Sequence, residues 1–228
     1  MTRIIQGVLD FQRRVFGQKR ELFQRLGEGQ KPLALFITCS DSRIAPDLLA
    51  QTQPGELFLL RNAGNIVPEH NAGAWAEAAT IEYAVVQLRV RDIILCGHSK
   101  CGAMHGLLNP DALGKLPSVA GWLDHAKEVL PRMEALKTLD PDQLLAHAIE
   151  QNVLVQMEHL KSHPAVRDAL AARVLRLQGW VYHFERGVVD TYDPLTGKFV
   201  PLGDSVRQHL FDQERGAREP RTVWDTHI

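Results

Sequence analysis

Leu33-Ala34-Leu35-Phe36-Ile37-Thr38-Cys39-Ser40-Asp41-Ser42-Arg43 runs from an unbroken apolar stretch straight into a cluster of reactive side chains. A short, β-rich, non-alternating run of this kind reads as a strand of a parallel sheet, buried on both faces. A second junction of the same design follows about sixty positions later, where Ile93-Ile94-Leu95-Cys96 leads into Gly97-His98-Ser99-Lys100-Cys101-Gly102. In open α/β sheets the binding crevice lies beyond the carboxyl ends of the strands. Two buried strands can therefore carry both motifs to one sheet edge. Together the motifs supply two thiolates, one imidazole and one carboxylate, a donor set suited to zinc.

The rest of the chain supports that architecture. Residues 2–26 carry Ile5, Val8, Leu9, Val15 and Phe16, then Leu22, Phe23 and Leu26, at helical spacing, with Gly17 as a break. They form an amphipathic arm, packed on its own core or on a second subunit. Pro46 opens a short helix through Ala50, and Leu57–Leu60 is a second strand ending in Arg61-Asn62-Ala63-Gly64-Asn65. A helix is expected over 72–88, with Trp75, Ala79, Tyr83, Val86 and Val90 as its apolar stripe. Asp140-Pro141-Asp142-Gln143 is a helix start, with an acidic cap, proline in first place and Gln three positions on. Gly179–Phe184 and Val188–Tyr192 read as a late hairpin. The expected fold is α/β: a mostly parallel central β-sheet flanked by helices, with an N-terminal helical arm (1–30) and a C-terminal β-hairpin. It forms one domain over 1–228, with a tail at 213–228.

Bulk properties narrow the class. At 228 residues and 45% hydrophobic content there is material for one sizeable core, and a net charge of −1 gives no electrostatic case for nucleic acid or an anionic membrane. Three cysteines make no disulfide framework, and two of them sit inside metal-like motifs, which points to a reducing compartment. Arg3, Asp10, Arg13 and Arg14 interrupt any signal-peptide core, and no apolar run reaches membrane-spanning length. A cytoplasmic protein is expected.

In extended chain Cys39, Asp41 and Arg43 face the same side. His98 and Cys101, three apart, would converge in one helical turn. Asp41 can bind zinc or pair with Arg43, and the two states compete. On the metal, Asp41 closes a four-coordinate site; held by Arg43, it leaves the fourth position open to water. Zinc with two thiolates is formally neutral, so it acidifies bound water less than a three-histidine site, whose water titrates at about 7.

Five segments carry a resemblance: Cys-Ser-Asp-Ser-Arg at 39–43, Pro-Gly-Glu-Leu-Phe at 54–58, Arg-Asn-Ala-Gly-Asn at 61–65, Ile-Glu-Tyr-Ala-Val at 81–85 and Gly-His-Ser-Lys-Cys-Gly at 97–102. They resemble the β-class carbonic anhydrases, in the cyanobacterial and plant-like branch, over most of residues 30–110 and again at Gly179-Trp180-Val181-Tyr182. The resemblance implies one zinc ion per chain, bound by Cys39, His98 and Cys101, and reversible hydration of carbon dioxide to bicarbonate and a proton by a zinc hydroxide. It implies Asp41 and Arg43 as the catalytic gating pair, with Asp41 able to serve as a fourth ligand. It implies a substrate pocket lined by Gln30, Phe58, Tyr83 and Gly102, the first three from across a dimer interface, and a homodimer or a tetramer built from dimers. In the branch regulated by bicarbonate, tryptophan commonly stands three residues before the first ligand; here it is Phe36. That argues against a noncatalytic bicarbonate pocket at Arg61 and Tyr182.

Competing readings are weaker. Gly97-His98-Ser99 begins like a hydrolase nucleophile elbow, but Cys101 stands where its second glycine belongs. A catalytically silent zinc-stabilised interaction protein has no use for Asp41 and Arg43. A carbon disulfide or carbonyl sulfide hydrolase on the same fold is the sharper rival. Cys96, alone in an apolar strand, reads as core packing. His70 and His105 read as surface or capping residues before they read as proton carriers.

Overall fold

The computed structural model describes residues 2–73 and 75–204. The expected tail at 213–228 lies outside the described residues. At the centre is a six-stranded sheet in the order β2-β1-β3-β4-β5-β6. Its strands are β1 (Ala34–Cys39), β2 (Leu57–Asn62), β3 (Asp92–His98), β4 (Arg176–His183), β5 (Val188–Asp193) and β6 (Lys198–Pro201). The first four run parallel and the last two are antiparallel additions. β1 is buried along its whole length, as its continuous apolar sequence requires. Leu33, expected to open it, is instead 62% exposed. The expected C-terminal hairpin is present and gains a third strand, β6, whose four residues, ending in a proline, are too few to announce themselves.

The helix Pro141–Ser162 lies against β3 and β4. Asp140 caps it, accepting from the backbone N–H groups of Asp142 and Gln143 at 3.1 Å each. Ile149, Val153 and Leu160 are buried along its inner face. Two strand glycines permit the close approach. A Cβ at Gly97 would come within 2.9 Å of Val153 Cγ2, and one at Gly179 within 2.8 Å of Val153 Cγ1 and 2.5 Å of Met157 Sδ. Gly97 directly precedes His98, so this packing sets the height of that strand end.

Two helical expectations need correction. The helix expected over 72–88 is an α-helix at Trp75–Glu82 followed by a π-helical turn at Tyr83–Gln87. Its buried face holds Ile81 and Ala84, whereas Tyr83 and Val86, assigned to the stripe, are 47% and 59% exposed. The buried face is already set at Ile81 within the regular α-helix, where Ala79 of the stripe is exposed, so the stripe faces away from this chain's core before the π turn begins. At the N-terminus, helix continues through Gly17 and interrupts at Lys19 (φ −114°, ψ 14°). No side chain of Thr2–Gly27 is buried, so the arm has no core of its own.

Candidate metal centre

β1 and β3 are hydrogen-bonded neighbours in parallel register, with Thr38 beside Cys96. The strand spacing of about 4.8 Å therefore brings their carboxyl ends together before any side chain is considered. Cys39 ends β1, His98 ends β3, and Cys101 immediately precedes the helix Gly102–Leu108. Ligand atoms of these three buried residues lie within 4.8 Å of one another.

His98 and Cys101 do not share a helical turn, contrary to their i, i+3 spacing. His98 is still paired with Tyr182 in the sheet. Ser99 N–H donates to the Tyr182 carbonyl (2.9 Å), and Lys100 turns the chain through a left-handed φ of 54°. A tight strand-to-helix turn achieves the convergence.

The imidazole is prepared for a cation. His98 Nδ1 lies 2.8 Å from the Ser99 carbonyl. A carbonyl only accepts, so Nδ1 carries the hydrogen and Nε2 presents its lone pair. That Nε2 is buried without a hydrogen-bond partner. An orphaned acceptor of this kind is costly, and an ion shared with two sulfurs satisfies it. The contrast with a second group, Glu69, Glu128 and His159, is informative. There both histidine nitrogens are engaged, with the Val67 carbonyl (2.8 Å) and Glu128 (3.2 Å).

The two sulfurs influence each other. A hydrogen bond from Cys101 pulls the Cys39 thiol down against the opposing effect of burial, aided by the Gly64 N–H (3.3 Å from Sγ). The same bond, with burial and the neighbouring charge, drives the Cys101 thiol upward. A divalent cation bound between them favours the thiolate form of both. Cys96, by contrast, is an inert core thiol raised to about 12 by burial.

Asp41 stands outside the compact group. Arg43 grips both oxygens, Nε to Oδ1 at 2.9 Å and Nη2 to Oδ2 at 2.7 Å, and adds its backbone N–H to Oδ1 at 2.9 Å. These bonds hold the carboxyl well below the usual carboxylate range. Oδ2 remains 3.9 Å from His98 Nε2. Of the two competing states, the structure shows the one in which arginine keeps the carboxylate.

The loop around Cys39 is fastened from β2. Arg61 donates Nε and Nη2 to the Cys39 carbonyl (3.0 and 2.9 Å) and Nη2 to the Asp41 carbonyl (2.9 Å). Asn62 exchanges two hydrogen bonds with Ile66, and Asn152 donates to the Gly64 carbonyl. Gly64 (φ +82°) has no room for a side chain, since a Cβ would sit 2.9 Å from that of Ala103. Phe36 is fully buried, edge-on to Trp180.

The structure does not bring the four expected pocket residues together on one chain. Gly102 adjoins the cluster, but Phe58 lies four positions down β2 from Asn62, the residue paired with Cys39, or roughly 13 Å along the strand. Phe58 contacts Tyr83 instead (5.9 Å between ring centroids), and Gln30 is exposed in the loop before β1. Sequence reading missed Phe184 and Glu185. Glu185 accepts from the Ser99 hydroxyl, and Phe184 lies under Arg43 with 4.5 Å from Cζ to the ring centroid. Nothing in a hairpin turn some eighty residues further on signals such contacts. The Ser99 bond also disposes of the hydrolase reading, because its hydroxyl faces a carboxylate and no imidazole.

A family described as carbonic anhydrase matches residues 34–189. The chain belongs to that family. It is 44% identical over 204 residues to a carbonic anhydrase of Pseudomonas aeruginosa, covering 90% of this chain and 93% of that one. It is 43% identical to a Synechocystis carbonic anhydrase, over 88% of this chain and 74% of the relative. Among solved structures it resembles the β-carbonic anhydrase CcaA at 41% identity and a TM-score of 0.86, covering 88% of this chain and 98% of that one. It also resembles the tetrameric β-carbonic anhydrases of Sordaria macrospora at 31% identity and a TM-score of 0.76, covering 83% of this chain and 95% of that one. Fold and relatives place this carbonic anhydrase in the β class. It is an enzyme for the reversible hydration of carbon dioxide with zinc as cofactor, and the Cys39–His98–Cys101 group fits that ion.

Proposed function

We propose that Cys39, His98 and Cys101 hold the zinc and that Asp41 and Arg43 form a gate on its fourth position. The observation that carries this reading is the grip of Arg43 on both Asp41 oxygens, which holds the carboxylate apart from the three converging donors. Zinc, when bound, supplies the Lewis acidity that makes water a competent nucleophile toward carbon dioxide. The chain's own residues do the rest. His98 Nδ1–H, fixed by the Ser99 carbonyl, orients the imidazole. Gly64 N–H tempers the charge on Cys39. Asp41 Oδ2, ionised and immobilised by Arg43, accepts a hydrogen bond from an incoming water and orients it.

The chain works as a homodimer or as dimers joined into a tetramer. Supporting this are the unburied arm, the exposed apolar side chains of Leu48, Leu59, Tyr83 and Val86, and the separation of Phe58 from the cluster in its own chain. Gln30, Phe58 and Tyr83 then line the pocket of the other subunit, the two rings supplying an apolar wall for a small uncharged gas and Gln30 a polar amide. Arg61 is already committed to two carbonyls, which argues against a second bicarbonate site there. A cytoplasmic location agrees with three cysteines that form no disulfide.

Stopped-flow carbon dioxide hydration combined with metal analysis tests the proposal. One zinc per chain, lost with activity in Cys39→Ser and Cys101→Ser, is expected. Stoichiometric zinc retained in either variant refutes the ligand assignment.

A further inference from the structure

The turn between β4 and β5, residues 184–187, follows the carboxyl end of β4, beside that of β3, and so adjoins the metal centre. Its two flanks are tied down. His183 Nε2 bonds Asp190 at 2.9 Å, and Glu185 accepts from the Ser99 hydroxyl. Ser99 also donates its N–H to Tyr182, so the turn and the His98–Cys101 loop are stitched at two points. Phe184, held between these ties, faces two things at once. Its ring centroid is 6.3 Å from that of His98 and 4.5 Å from Arg43 Cζ.

Arg43 uses its guanidinium in two directions. The edge donates in plane to Asp41 and to the Lys100 carbonyl (3.1 Å), and the face lies on the phenyl ring. A delocalised planar cation can do both together, which an ammonium cannot. The Arg43 side chain is 45% exposed, so without the ring much of its stem has nothing to lean on. A free arginine loses rotamer entropy whenever it captures a carboxylate. One already laid on a ring loses less.

We infer that Phe184 is a positioning residue for the gate: its ring holds the Arg43 guanidinium in the place from which it withdraws Asp41 from the metal. The inference rests on the gate reading proposed above. When Asp41 leaves, the ring and the Lys100 carbonyl keep Arg43 where it was, so reopening needs no search. Removing the ring while keeping the bulk apolar shifts the balance toward the closed state, by roughly two- to fivefold for a cation–π contact at a partly exposed site.

The test uses cobalt-substituted holoenzyme, whose visible absorption distinguishes a water-filled from a carboxylate-filled fourth position. Phe184→Leu and Phe184→Tyr are prepared alone and with Arg43→Ala, and zinc content and thermal midpoint are recorded for each. Phe184→Leu is expected to move the spectrum toward that of Arg43→Ala and to lower kcat two- to fivefold with metal retained. Phe184→Tyr restores both, and Phe184→Leu adds nothing once Arg43 is gone. An unchanged Phe184→Leu spectrum overturns the inference. So does an equal spectral change in the Arg43→Ala background, since the ring would then be acting through His98. Should Phe184→Leu not fold, Phe184→Met carries the same comparison. If Arg43→Ala itself keeps the wild-type spectrum and turnover, the gate reading fails first, a result separable from failure of the ring alone.

Discussion

Replacing Arg61 by alanine should weaken zinc binding by roughly 30-fold while leaving the sheet folded. Arg61 is no metal ligand, yet its guanidinium makes three hydrogen bonds to the carbonyls of Cys39 and Asp41. These two carbonyls bracket the segment that must hold one sulfur and the gating carboxylate in place. A hydrogen bond from a charged donor contributes about 1.5–3 kcal/mol, and solvent access to Arg61 lowers that to about 1 kcal/mol for each carbonyl. The loss of about 2 kcal/mol corresponds to a factor of roughly 30 in an equilibrium constant. Loss of a partner that orients a ligand independently carries a penalty of about 10- to 100-fold in metal affinity. Competition against a chromophoric chelator, with wild type and variant side by side, measures the change. Arg61→Lys, which reaches one carbonyl as a point charge, should fall between them. Wild-type affinity in Arg61→Ala would refute the idea that this arginine fastens the loop.

Arg43→Ala should retain zinc by metal analysis and lose most hydration turnover, because Asp41 is then free to close the fourth position. With two thiolates neutralising the ion, kcat/KM should rise with pH about a midpoint above 7; a plateau reached below neutrality refutes this. Gly179→Ala should cost about 1–3 kcal/mol, since its Cβ meets Met157 and Val153, and lower Tm by about 2–4 °C per kcal/mol, read by calorimetry. Burial holds His163 below its ordinary value of 6.5, so the folded state prefers the neutral ring. The unfolded chain then binds the extra proton, and stability falls as pH drops through about 6.5. Denaturant midpoints between pH 5 and 8 should show that slope, and His163→Gln should flatten it.

The parts legible in the sequence were those in which local signals and burial agree. β1 could be read because a strand buried on both faces must be apolar at every position, and the Asp140 cap because its chemistry is local. The convergence of Cys39, His98 and Cys101 was legible because both motifs follow buried strands whose carboxyl ends meet at one sheet edge. What escaped depended on non-local geometry. The helix beginning at Trp75 buries Ile81 and Ala84 against its own chain and leaves the equally apolar Tyr83 and Val86 exposed, so residue type alone did not pick its inner face. The turn at Lys100 replaced an expected helical pair, because His98 was still committed to pairing with Tyr182. Phe184 sits beside Arg43 only because β4 lies next to β3, a fact of topology absent from any window of residues.

Adjacency of β1 and β3 has a wider consequence. In zinc fingers the ion organises the polypeptide, and chelation dissolves the structure. Here Thr38 is set beside Cys96 by backbone pairing inside a six-stranded sheet with its own apolar core. A sample stripped by chelation is therefore expected to keep its secondary structure by circular dichroism and to regain its ion on simple re-addition; unfolding on chelation would show that the ion, not the sheet, holds the two strand ends together.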